Sequence, residues 1–111
     1  MTEATSIEEI TNTKVLTALF AVSKLNDVRF ALLANRPHAG DLATAARLLD
    51  IDLEMLRALE YCLLIEEHPV IVEMYDRTQR IAEETAELVR VIEAQEMMQA
   101  AVFESALVTI H

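Results

Sequence analysis

Three histidines, one cysteine and a surplus of carboxylates are the side chains in this sequence that could do chemistry. His38, His68 and His111 lie too far apart to share a helical ligand spacing. Glu66, Glu67, His68 and Glu73 are the densest collection of metal-ligand types. They contain no Glu-x-x-His pair, which would set a carboxylate and an imidazole one helical turn apart, so they read as a solvated acidic loop. Glu83, Glu84 and Glu87 read as an exposed helix face, balanced in part by Arg80 and Arg90 three and four residues away. No serine has a histidine beside it in sequence to act as its base, and Gly40 is the one glycine in the chain, too few for a phosphate-binding loop. Cys62 is alone, which excludes an internal disulfide and favours a reducing compartment. Its place among apolar neighbours makes it a core residue. The expectation is a protein without catalytic residues, metal or cofactor, and not an enzyme.

Composition narrows the partners. The chain has 111 residues, 53% of them apolar, with one Gly and two Pro, which favours a single, mostly helical domain. Its net charge of −10 is unevenly placed: five acids and five bases lie in 1–49, fourteen acids and four bases in 50–111. Such an imbalance argues against nucleic acid or an anionic membrane as partner. No apolar run reaches the roughly 18 residues of a membrane span, and no signal peptide is legible at the start. The expected location is cytoplasmic.

The elements that would position any site centre on 41–67, DLATAARLLDIDLEMLRALEYCLLIEE. Ala46, Leu49, Ile51, Leu56 and Leu59 fit the core spacing of a helix-turn-helix with its turn at Asp50–Asp52. In that reading Asp52 caps the second helix, with Ile51 and Leu56 as a hydrophobic staple. The second helix would show Asp52, Leu53, Glu54, Arg57, Ala58 and Tyr61 outward. From 52 to 67 five acids face one Arg, a surface that phosphate repels.

Before this unit, Ser6 to Glu9 fits a capping box. A helix follows with Ile10, Val15, Leu19, Val22 and Leu25 on one face, widened by Leu16, Phe20 and Ala21. Asn26-Asp27 reads as a break. A short helix from Val28 to Ala34 would then bury Phe30, Leu32 and Leu33, and Asn35 to Gly40 would form a loop ending on Asp41 as a cap. After the unit, the β-branched run Val70-Ile71-Val72 predicts a short β-hairpin, the wing of a winged helix. Asp76 would cap a last helix whose Ile81, Leu88, Ile92, Met98 and Val102 approximate a heptad seam. Its end, MMQAAVFESALVTI, is apolar around most of the circumference with one charge, Glu104, and needs a partner surface.

With the pieces in order, the chain resembles the N-terminal domain of class I small-molecule O-methyltransferases over roughly residues 15–105. Leu25 to Asp27 match that family's helix break, Asp41-Leu42-Ala43 its helix start, Leu56-Arg57-Ala58-Leu59 its leucine-rich helix, and Thr78 a position after its wing. Winged-helix repressors of the arsenic-sensor type share much of the pattern. The resemblance implies a winged-helix module that forms an intertwined dimer ahead of a catalytic domain. The Gly-rich loop that holds S-adenosylmethionine in those enzymes has no counterpart here.

The fold expected is therefore mostly α: a winged-helix-like helix-turn-helix with long flanking helices and a short β-hairpin. It would form one domain over 1–111, with its core in 14–80 and a dimerisation helix over 77–110. The function expected is non-catalytic homodimerisation or protein binding, with Leu16, Phe20, Met98, Val102 and Phe103 buried against the partner chain. Two alternatives stay open. One is a winged-helix transcription regulator using Arg29, Arg36 and Arg47. The other is an acidic inhibitor, of viral type, that occupies a basic surface of a nucleic-acid-binding protein.

Overall fold

A computed structural model describes residues 10–35 and 41–110, excepting the side chains of residue 35 and residues 108–110. It contains three helices, α1 (Thr13–Asn35), α2 (Leu42–Ile65) and α3 (Pro69–Ile110), and no strand among the described residues. The mostly helical class holds. The expected capping box at Ser6 and the loop at 36–40 lie outside the described residues.

Each helix starts on a cap supplied by the chain. Asn12 Oδ1 accepts the N–H groups of Lys14 at 2.9 Å and Val15 at 3.3 Å, opening α1. Asp41 opens α2 as expected, accepting the Thr44 N–H at 3.3 Å and the Thr44 hydroxyl at 2.7 Å. His68 opens α3: its carbonyl accepts from Ile71 and Val72, and its ring Nδ1 accepts the Val70 N–H at 3.1 Å. Pro69 then occupies the first helical position, where its missing N–H leaves no bond unmade. Replacing Asp41 with Ala should cost about 1 kcal/mol, lowering the melting temperature by roughly 4–8 °C in a chain of this size. A thermal melt followed by circular dichroism checks this.

Four local expectations are corrected. The helix-turn-helix does not form, because α2 runs without interruption through Asp50–Asp52. Leu48, Ile51, Met55, Leu59 and Cys62 keep one buried helical stripe across that point, and no Gly or Pro is there to break it. Asp52 is an interior residue of α2 and not a cap, and Ala46 is exposed. The wing does not form either. Val70 to Val72 lie in the first turn of α3, where Ile71 is fully buried in the shared core. Asp76 is likewise helix interior. Nor does Asn26-Asp27 break α1, since both side chains point outward while Val22, Leu25, Arg29 and Leu32 carry the inner stripe past them. Phe30 and Leu33 are exposed and Leu32 is half-buried.

α2 is the central element and packs against both α1 and α3. One core joins Val15, Leu19 and Val22 of α1 with Ile51, Met55, Leu59 and Cys62 of α2 and Ile71 of α3; Ile10 closes its end. Cys62 is buried, with its Sγ 3.8 Å from the Val15 carbonyl, and burial pushes its thiol pKa up. Below the free thiol's pKa of about 8.5 both states hold the proton; above it the unfolded chain ionises first. Stability should thus fall as pH rises from about 8.5 upward. Urea melts of Cys62→Ala across that range should show a shallower decline. Tyr75, whose pKa is raised first by its hydrogen bond to Glu60, adds the same trend only near pH 10 and above.

Candidate interaction surface

The last buried side chain of α3 is Ile92, and every described side chain from Glu93 to Leu107 is exposed. The reason is a mismatch of helix lengths. α1 has 23 residues, α2 has 24 and α3 has 42. Arg29 touches Thr85, which sets α1 and α3 level, so α1 ends beside residues 91–92 of α3. Residues 93–110 therefore project as an arm about 27 Å long at the helical rise, consistent with overall extents of 76 × 24 × 24 Å. The inner stripe Ala82, Thr85, Val89 and Ile92 continues along the arm as Glu96, Gln99, Phe103 and Ala106, with nothing opposite it among the described residues. Met97, Met98, Val102, Phe103 and Leu107 are exposed there, Met97 at 73% and Phe103 at 64%.

A second apolar surface lies on α1. Leu16 and Phe20 face outward, Phe20 at 64% exposure, and Lys24 Nζ stands 5.2 Å from the Phe20 ring centroid in a cation–π contact. On a different side of α1, lined by neither Leu16 nor Phe20, runs a groove between α1 and α2. Its floor is Thr17, Ala18 and Ala21 opposite Ala58 and Tyr61, an open volume of ≈ 560 Å³ flanked by Lys14 and Arg57. The groove continues past Leu25, Val28 and Leu53, bordered by Arg47, Asp50 and Glu54. Small floor residues let another backbone approach closely, and the residues lining the first stretch carry cations and no carboxylate.

The five residues expected from sequence to form an interface are thus all exposed: Leu16 and Phe20 on α1, Met98, Val102 and Phe103 on the arm. Within one chain the two groups do not meet, because the arm leads away from the end of α1 that carries Leu16 and Phe20.

The side chains that converge most closely were not legible as a site. Asp52 of α2 is fully buried and accepts from Arg29 of α1, Nε to Oδ1 at 2.6 Å and Nη2 to Oδ2 at 3.3 Å. Thr85 Oγ1 of α3 lies 2.9 Å from Asp52 Oδ2 and 2.9 Å from the Ile81 carbonyl, and it accepts from Arg29 Nη2 at 3.3 Å. A buried carboxylate is tolerated only when paired and hydrogen-bonded, and here each of the three helices supplies one member. The cluster can pin the helices in register, but it leaves Asp52 no face for a ligand. It also occupies Arg29, one of the three cations on which a DNA-binding reading would draw. The signal available was Asp52 itself, an acid on the apolar stripe between Leu48 and Met55. Thr85→Val should cost about 1–3 kcal/mol by leaving part of the Asp52 carboxylate unsatisfied, which chemical denaturation would measure.

Among the described residues no cluster of His, Cys, Asp or Glu is arranged to hold a metal ion, and no described helix is long and apolar enough to cross a membrane. Comparison with known proteins finds no family model, no curated protein and no solved structure that matches this chain.

Proposed function

We propose that the protein is a non-catalytic interaction module whose first partner is a second copy of itself. The observation that carries this reading is the arm: a regular helix continued for about five turns beyond its bundle, apolar on most sides and covered by nothing among the described residues. A helix of that character is stabilised in water by an apolar surface laid against it. Exposed apolar patches of this extent mark interaction sites, and Leu16 and Phe20 add a second one. Two-fold pairing would use each patch twice and close the assembly. The likeness to O-methyltransferase N-terminal domains contributes to this proposal its dimerising role and not its winged-helix architecture.

A second reading, an acidic surface that occupies a basic protein, draws on Glu73, Asp76, Glu83, Glu84 and Glu87 along the outer side of α3. Arg77 pairs with Glu73 and Arg90 with Glu87, which blunts that surface, so it ranks below self-association. Binding of nucleic acid is disfavoured by the net charge of −10.

Association of folded chains links stability to concentration. The melting temperature should therefore rise as protein concentration is raised a hundredfold. A melting temperature that stays constant over that range would remove the basis for the proposal.

A further inference from the structure

We infer that the α3 arm of one chain docks in the α1–α2 groove of a second copy, reciprocally, antiparallel to the partner's α1. This rests on the self-association proposed above and specifies its geometry for the arm face that carries Ala100, Phe103 and Leu107. Met98 and Val102 lie on the opposite face of α3, and Leu16 and Phe20 lie outside the groove. The two surfaces are of similar length, the groove following α1 from Thr13 to Val28, about 22 Å of helix, and the arm about 27 Å. In the register below, arm residues 100–110 fill the groove from Val28 back to Ala18. Their packing surfaces match as well: the α1 side of the floor is Ala and Thr, while the arm carries the bulky Phe103 and Leu107.

Charge fixes the register. A two-fold that abuts the two bundles at their arm-bearing ends sets Glu93 of one chain beside the end of the partner's α1. Each arm residue then lies level with a definite partner position. Leu107 falls at the partner's Ala21, and Ala100 at the partner's Val28. Glu104 falls at the partner's Lys24. The Arg29–Asp52 pair fixes the level of α2 against α1. On that level Glu104 also meets the partner's Arg57, and Glu93 and Glu96 approach the partner's Arg47. The groove's own acids, the partner's Asp50 and the partner's Glu54, come level with uncharged Met97 and Ala101. The arm holds three carboxylates and no cation; Glu104 meets two of the partner's cations, while Glu93 and Glu96 share the partner's Arg47.

The test is disulfide trapping in the full-length chain. Ala21→Cys/Leu107→Cys and Val28→Cys/Ala100→Cys place new thiols at exposed positions, so neither pair disturbs the core. Within one chain the members of each pair lie about 45 Å and 24 Å apart along the bundle axis at the helical rise, beyond disulfide reach. Mild oxidation is expected to give a covalent dimer from each double variant, and far less from any of the four single variants. Sedimentation of the unmodified chain is run beside it. A non-covalent dimer whose double variants trap no better than the singles would overturn the groove docking and leave self-association standing. A monomer would overturn both. As a second reading of register, Lys24→Glu should weaken the dimer about two- to fivefold, and adding Glu104→Lys should restore it; failure of the swap to restore would contradict the alignment.

Discussion

Arg29→Met should destabilise the chain by about 3–5 kcal/mol, because it strands a carboxylate that has no route to water. Asp52 is fully buried, whereas the Arg29 side chain keeps 19% of its surface exposed. The two single substitutions should therefore differ. Asp52→Leu leaves a guanidinium on a long stem that can swing outward, and its cost should be visibly smaller than that of Arg29→Met. The double variant Arg29→Met/Asp52→Leu should recover most of the loss, since a well-packed apolar pair often matches a buried ion pair in stability. Urea denaturation of the wild type and the three variants closes this cycle. If Arg29→Met costs less than 1 kcal/mol, the cluster does not hold the helices together.

Phe103→Glu should convert the assembly to monomer while leaving the bundle folded. Its ring touches no core residue of its own chain and is 64% exposed there, so a carboxylate at 103 disturbs nothing in the monomer. In the proposed dimer that side chain would be buried twice by symmetry. Truncation of a buried Phe costs about 3–5 kcal/mol per ring, and a buried unpaired charge adds to it. Circular dichroism should find the bundle's helical signal retained, less whatever the freed arm loses by fraying. Loss of the whole fold together with the dimer would mean that the bundle is not stable by itself. Retention of the dimer would mean that Phe103 does not face the partner.

Much of the inner stripe of this fold was legible in the sequence. Ile10, Val15, Leu19 and Val22 fall on one face by their spacing and are buried together, because apolar spacing of three and four reports a helix face directly. Asp41 was legible as a cap for a similar reason: it stands just before an apolar-periodic run. What the sequence hid were the continuities. Asn26-Asp27, Asp50–Asp52 and Asp76 all looked like helix ends, since Asn and Asp disfavour helix interiors by a few tenths of a kcal/mol. Burial of Val22, Ile51 and Ile71 on unbroken stripes outweighs that preference at roughly 1.5–3 kcal/mol per side chain. Val70 to Val72 misled in the same way, with local β-propensity overridden by packing against α2. His68 caps α3 and Pro69 takes its first position, so the pair opens a helix and not a hairpin. The interface residues were read from apolar character that no single helix face could absorb. All five are exposed, and the groove on which the proposed docking draws is formed only by the packed helices.

The self-association on which this account rests is tested most directly by sedimentation equilibrium of the unmodified chain at micromolar concentration. The expected result is a single species at twice the 12.5 kDa chain mass, shifting toward the chain mass on dilution. A well-folded species that stays at 12.5 kDa across the whole concentration range would contradict it.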